Sequence, residues 1–235
     1  MKTKNIDKIS SGIPGFDEIS DGGFIRNSII SVSGDVGSGK TIFGMQFIYK
    51  GAAEFEENGM YICFEEPKKI MYRSMLKFGW NIKALEDTQK ITFLEYPPHE
   101  VDIFFEQEET LLNLIDKFGV SRIVIDPVSV MGMHFQDDAS RKAGLMKFAD
   151  KLRQWGCTAI LLSGTHDQSV DITRSIEALA DASIRLYNPL IEGRRTRGIE
   201  VVELRGSAHS QIVHQMIIGA KGIEIDPHSV LEISE

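Results

Sequence analysis

The octapeptide Gly34-Asp35-Val36-Gly37-Ser38-Gly39-Lys40-Thr41 spaces its glycines, lysine and hydroxyl as G-x-x-x-x-G-K-[ST]. Glycines in such a loop let successive backbone N–H groups converge on a phosphate, and a helix starting at its end adds partial positive charge. Lys40 would then reach the β- and γ-phosphate oxygens of a nucleoside triphosphate, and the Thr41 hydroxyl would ligate Mg²⁺. A Mg²⁺ held there with its waters needs a carboxylate on the opposite side. Asp126 supplies one, since it closes the apolar run Arg122-Ile123-Val124-Ile125 at the carboxyl end of a strand, where parallel sheets bind ligands. Hydrolysis also needs a group that orients water for in-line attack. Glu65 and Glu66 follow the run Met60 to Phe64 at the same edge, and neighbouring side chains on an extended chain point to opposite sides. Glu65, the first residue past the strand, is the preferred candidate, with Glu66 as its alternate or support. The competing use of this acidic pair is to cap the helix that starts after Pro67, and the two roles are compatible.

Alternating strands and helices have to carry these residues. Ser28 to Ser33 is short and β-branched and stops at the glycine-rich loop, as a buried parallel strand does. Lys40 to Phe55 sets Ile42, Met45, Phe47 and Ala52 among good helix formers, with Asn58-Gly59 beyond as a terminator. Strands over Met60 to Phe64, Ile91 to Leu94, Arg122 to Ile125 and Thr158 to Leu162 continue the rhythm. Helices near Lys68 to Phe78, Glu106 to Phe118 and Arg141 to Trp155 lie between them. This alternation predicts right-handed βαβ units and an α/β fold with a mainly parallel central sheet flanked by helices. Past about Ala182 the segments Ser183 to Tyr187, Gly198 to Leu204, Gln211 to Ile217 and Ile223 to Ile225 read as strands joined only by loops. They predict antiparallel strands at the C-terminal edge. Asn188 to Gly198 is then a hairpin loop whose Arg194, Arg195 and Arg197 read first as solvated charge and second as an interaction site. No repeat, low-complexity tract or linker interrupts the chain, so residues 1–235 are expected to form one domain.

With 42% hydrophobic and 26% charged residues, the chain can bury a core and is not of the disordered class. Acidic side chains number 34 against 26 basic, and a net charge of −8 disfavours attachment to nucleic acid or anionic membrane by charge alone. Cys63 and Cys157 sit in apolar runs and are expected as core thiols. Nowhere do about 18 apolar residues run together, so membrane insertion is not expected. Met1 to Asn5 carries no signal-like apolar stretch, which predicts a cytoplasmic protein. Trp80 and Trp155 read as packing anchors near helix ends. His134 and His166 could approach each other at neighbouring strand ends but lack a third metal ligand. His209 and His214 fall in a turn and a strand and are no zinc-protease pair. The loops Val128 to Ser140 and Gly164 to Thr173 hold Asp137, Asp138, Asp167 and Asp171, which would serve phosphate poorly and favour protein contact.

Several of these segments together resemble the RecA-type ATPase superfamily, and within it the single-domain archaeal and bacterial relatives of the KaiC ATPase. The resemblance runs nearly end to end. It begins with Ser11-Gly12-Ile13-Pro14-Gly15-Phe16-Asp17-Glu18 and Asp21-Gly22-Gly23-Phe24 and passes through the phosphate loop, Phe64-Glu65-Glu66 and Val124-Ile125-Asp126. It ends with Ile176-Glu177-Ala178-Leu179-Ala180-Asp181 and Arg205-Gly206-Ser207-Ala208-His209. The resemblance implies a RecA-like P-loop fold, ATP with Mg²⁺ as cofactors, and a homo-oligomer, a hexameric ring with ATP at each subunit interface. It further implies that Arg205, Ser207 and His209 reach the phosphates of the adjacent subunit's ATP, where an arginine supplied in trans stabilises charge on the transferred phosphoryl group. Where the family usually has lysine two residues before that arginine, this chain has Glu203. A carboxylate near a triphosphate repels it unless a cation intervenes, so Glu203 is expected to pair with a basic side chain and slow turnover.

Three readings follow. The first is an ATP-hydrolysing ring with a regulatory or signalling role and an unidentified protein partner. The second keeps ATP as a glue for assembly without turnover. The third, a recombinase-type DNA-repair factor, rests on shared architecture and is opposed by the charge and the acidic loops, so nucleic acid is not the expected partner.

Overall fold

The computed structural model describes residues 6–165 and 170–233. The chain opens with β1 (Lys8–Ile9), α1 (Phe16–Ile19) and β2 (Phe24–Ile25), the two strands pairing as an antiparallel ribbon. Then β3 (Ile29–Gly34) leads through the phosphate loop into α2 (Lys40–Glu54). Next come β4 (Asn58–Cys63), α3 (Lys68–Met75), α4 (Ile82–Asp87), β5 (Ile91–Glu95), α5 (Val101–Glu106), α6 (Glu108–Phe118) and β6 (Val120–Asp126). The remaining elements are α7 (Asp138–Gln154), β7 (Thr158–Gly164), α8 (Val170–Leu179), β8 (Ala182–Tyr187), the two-residue strands β9 (Leu190–Ile191) and β10 (Arg194–Arg195), β11 (Gly198–Leu204), β12 (His214–Gly219) and β13 (Gly222–Ile225).

Nine strands make the main sheet in the order β13-β12-β11-β8-β3-β7-β6-β4-β5. Every neighbouring pair from β8 to β5 is parallel, and β11, β12 and β13 add antiparallel at the C-terminal edge, as the strand pattern predicts. Alternation along the central strands fills two cores. Val124, Ile160 and Leu162 face α2 with Phe43, Phe47 and Ile48, whereas Ile123, Ile125 and Leu161 pack with Leu111, Ile115, Leu145 and Leu152 of α6 and α7. Trp80 stacks on Tyr49 at 5.6 Å and is buried, as is Trp155. Both thiols are free and buried, and burial pushes the Cys63 thiol up to about 11.

Several boundaries differ from the sequence reading. The helix expected near Glu106 to Phe118 is α6, starting two residues later at Glu108, and α5 ahead of it was not expected; between them the Gln107 N–H turns back to Ile103 O at 3.1 Å. Helix α7 begins three residues early because the Asp137 side chain and Ser140 form a reciprocal cap. Strand β12 starts at His214 rather than Gln211. The ribbon β1–β2 and the helices α1, α4 and α8 were not expected. In α8, the buried Ile172 and Ile176 stand four apart, a helical spacing that the β-branched residues at its start conceal.

Two polar devices tie the ends of the chain to this frame. Gln46 of α2 accepts from Ile223 N at 2.7 Å and donates to Ile223 O at 3.0 Å, and Ile225 N donates to Pro14 O at 2.9 Å. Arg122, fully buried, pairs with Glu57 and donates to Phe47 O at 2.9 Å and Ser10 O at 3.0 Å. Truncating it leaves Glu57 with Arg26 alone, at 3.1 Å, and two carbonyls without the guanidinium donor. Arg122→Ala is therefore expected to cost about 3–5 kcal/mol, read as a fall in the urea unfolding midpoint; a loss under about 1 kcal/mol would mean that the pair is dispensable.

Candidate functional site

The phosphate loop joins the buried strand β3 to α2 in the manner its spacing predicts. Gly37 and Gly39 adopt φ of 78° and 107°, left-handed values that side chains resist, and this lets the loop fold back over the helix start. Lys40 Nζ donates to Gly34 O at 2.7 Å and Asp35 O at 3.0 Å, so the ammonium lies against the loop's own carbonyls. Burial lowers its pKa, while Asp126, Asp35 and Glu65 act in the opposite sense. Ser38 Oγ is buried with no hydrogen-bond partner among the described residues.

Asp126 ends β6 in register with Cys63 of β4. Its Oδ2 accepts from Thr41 Oγ1 at 2.9 Å and from Tyr61 OH at 2.6 Å. Burial raises the carboxyl's pKa, and the hydrogen bonds from Tyr61 and Thr41 and the nearby Lys40 charge pull it back down. Tyr61 is held firmly in its neutral, donating form by burial and by the same carboxylate. Glu65 and Glu66 both have raised pKa values, first from burial and then from Asp126, but only Glu65 also feels Lys40. Of the two glutamates, Glu65 is therefore the one whose charge is coupled to both Lys40 and Asp126. The first amide of α3 is taken instead by Glu95, whose Oε2 accepts from Lys68 N at 3.2 Å, and neither Glu65 nor Glu66 caps that helix.

The segment 205–209 is brought nowhere near this crevice. Arg205 N donates to Asp181 O at 2.9 Å and Asp181 N to Ile29 O at 2.7 Å, which sets Arg205 beside the first residue of β3. The phosphate loop leaves the other end of that six-residue strand, about 17 Å away at about 3.3 Å per residue. Arg205 Nε pairs with Glu203 Oε1 at 3.0 Å, the partnership expected of that glutamate, and both side chains are exposed. Ser207 Oγ donates to Asp21 Oδ2 at 3.2 Å and accepts from Lys8 Nζ, while His209 Nδ1 lies 2.9 Å from Ser210 O.

Two sets of contacts were missed by sequence reasoning. Tyr61 lay in a run read as core, and its hydroxyl inside a buried strand was the signal. The arginine hairpin, read first as solvated, touches the phosphate loop through Arg197 and Asn188. The acidic loop residues have local uses: Asp137 caps α7 and Asp138 pairs with Arg141. His134 pairs with Asp102 and stacks on Phe105 at 4.4 Å. His166 and Asp167, and the side chain of Asp171, lie outside the described residues. Among the described residues no cluster of three or more His, Cys, Asp or Glu could cage a metal, and no helix is long and apolar enough to cross a membrane.

A phosphate loop on the strand β3, an aspartate two strands away that meets its threonine, and a parallel sheet extended by antiparallel strands define a RecA-like P-loop ATPase. The family model for the KaiC ATPase matches residues 9–230, and the chain belongs to that family. It is 34% identical to the circadian clock protein KaiC3 of Synechocystis over 246 residues, covering 100% of this chain and 48% of that one. With the circadian clock oscillator protein KaiC of Thermostichus vulcanus it shares 30% identity, covering 100% of this chain and 47% of the relative. The chain thus spans about half the length of these relatives. The crystal structure of the KaiC-like protein PH0186 from Pyrococcus horikoshii superposes with a TM-score of 0.83 at 28% identity, over 94% of this chain and 100% of the other. Nucleotide binding and ATPase chemistry are the properties of the family.

The buried carboxylate gives a pH-dependent consequence. Because the Asp126 carboxyl has a pKa above its ordinary value of 3.8, it binds a proton more tightly in the folded chain than in the unfolded one. Its protonation favours folding at low pH, and that contribution is lost as pH rises through the raised value. In nucleotide-free protein Asp126→Asn, whose amide oxygen still accepts from Thr41 and Tyr61, should raise the urea midpoint at about pH 7, with the gain fading towards about pH 3. A lower midpoint at neutral pH would show instead that the ionised carboxylate stabilises the fold.

Proposed function

We propose that this chain binds Mg·ATP between residues 34–41 and Asp126 and hydrolyses it slowly as a subunit of a ring, the six-membered ring its family resemblance implies, each copy completing its neighbour's site. The observation that carries this reading is the Thr41–Asp126 contact at 2.9 Å beside Lys40 and Glu65. The donors fit the ion, since a hydroxyl and a carboxylate are the hard oxygen ligands Mg²⁺ takes alongside water and phosphate. The unpartnered Ser38 Oγ and the left-handed glycines likewise fit a loop that wraps a phosphate. Bound there by Thr41 and Asp126, Mg²⁺ would supply charge neutralisation at the phosphate oxygens.

The chain's own groups take the other roles. Backbone amides of residues 34–41 cradle the phosphates, and Lys40 exchanges its loop carbonyls for phosphate oxygens. Glu65 orients the attacking water, and its raised pKa suits it to take up a proton, with Glu66 in support. Arg205, Ser207 and His209 lie too far from their own loop to serve it, which supports their service to a neighbouring copy. Residues 1–235 act in this reading as one ATPase unit of a cytoplasmic assembly. The clock names of its relatives support a regulatory role toward a protein partner.

One observation favours assembly without turnover: Glu203 occupies Arg205 within its own chain. Solution mass with and without Mg·ATP, together with phosphate release on the same sample, separates the readings. Larger particles with nucleotide and slow release are expected, and Glu65→Gln should lower release about 100-fold while leaving assembly intact. Release by wild type no faster than by that variant would leave only the assembly role. Glu203→Lys should free Arg205 and raise turnover, on the order of tenfold; an unchanged or lower rate removes the restraining role of Glu203.

A further inference from the structure

The hairpin between β8 and β11 lies over the nucleotide loop. Arg197 Nε donates to Gly37 O at 3.0 Å, and Asn188 Nδ2 donates to Val36 O at 3.4 Å. The hairpin is itself braced: Arg195 Nη1 donates to Asn188 O at 2.7 Å, Thr196 N to Pro189 O at 3.1 Å, and Met216 N of β12 to Arg197 O at 3.0 Å. By contrast the loop apex stands out in solvent, with Val36 79% exposed. The loop is also tied by a bond from Ser38 N to Asp35 O at 3.2 Å, by the pairing of Asp35 with the Thr165 hydroxyl, and by the Lys40 ammonium on the Gly34 and Asp35 carbonyls.

The two carbonyls that the hairpin holds belong to peptide units whose other ends are the N–H groups of Gly37 and Ser38. A donor on a peptide oxygen polarises the unit and strengthens its N–H, and a charged guanidinium does so more than a neutral group. It also restricts rotation of the peptide, so less ordering remains to be done when an anion arrives. We propose that Arg197, assisted by Asn188, is a positioning residue for phosphate binding in its own subunit. It fixes and polarises the apex of the loop from behind, acting through the backbone without touching the nucleotide. The inference rests on the loop binding Mg·ATP and adds to that reading an element from the antiparallel edge of the sheet. Because the loop contacts are made in ground and transition states alike, loss of Arg197 should weaken binding more than chemistry.

The test is calorimetric binding of Mg·ATP and steady-state hydrolysis by the full chain. Arg197→Ala should raise Kd and KM about tenfold with kcat within about twofold. Arg197→Lys, which keeps a cationic donor, should recover part of the loss. Arg194→Ala removes an exposed charge with no partner among the described residues and should match wild type, which separates positioning from general charge. Asn188→Ala, which deletes only the longer contact, should shift Kd the same way by about threefold, and it decides the matter if Arg197→Ala fails to fold. Failure of wild type to bind Mg·ATP would bring down the reading of the loop itself. Wild-type binding with Kd of both Ala variants within about twofold, or a fall in kcat at unchanged KM, would overturn the positioning role alone.

Discussion

Asp126 Oδ2 accepts hydrogen bonds from Thr41 and Tyr61 in a setting where burial works against its charge. Much of the surrounding architecture can be understood as the means of keeping that carboxylate there. Strand β6 delivers it to the carboxyl edge, β4 alongside supplies the tyrosine, and the first turn of α2 brings the threonine. A hydrophobic residue in its place would pack without that desolvation cost. What the carboxylate provides is an oxygen aimed at the loop, beside a lysine whose ammonium burial also weakens. Two partly desolvated opposite charges facing one crevice form an environment suited to a triphosphate and its metal.

The sheet separates two chemistries along its length. At the carboxyl ends of β3, β4 and β6 stand the loop, Glu65 and Asp126; beside the amino end of β3 stands Arg205. Such polarity is what an assembly needs if one copy's rear end is to complete another's front. The ribbon β1–β2 belongs to the same rear surface, because Lys8 joins Ser207 and Asp21 there. Both of these cations have a carboxylate partner: Glu203 engages Arg205, and Asp21 engages Lys8.

The parallel half of the fold was legible because each strand there is a short β-branched run closed by a turn signal, and each main helix carries a periodic apolar face. Lys40, Thr41 and Asp126 were legible because the loop's spacing demands a threonine at the helix start and a carboxylate at a strand end. Tyr61 was not, since an aromatic residue inside a buried strand looks like core until its hydroxyl is seen to find Asp126. Arg197 was hidden for a different reason: its contact with Gly37 joins positions 160 residues apart, and no local pattern encodes such a pairing. The helices α5 and α8 were obscured by amphipathic stretches whose periods fit more than one boundary.

The margins of the sheet have a consequence for how copies can meet. On β13 the outward amides of Ile223 and Ile225 are already spent on Gln46 and Pro14, so that border offers no template for a foreign strand. The opposite border, β5, is only five residues long, follows Lys90 and ends in the charged Glu95. Edges plugged or shortened in this way discourage the runaway strand addition that ends in fibrils. Molecules of this protein crowded together are thus steered toward contacts made by side chains and loops, the kind that can be released again.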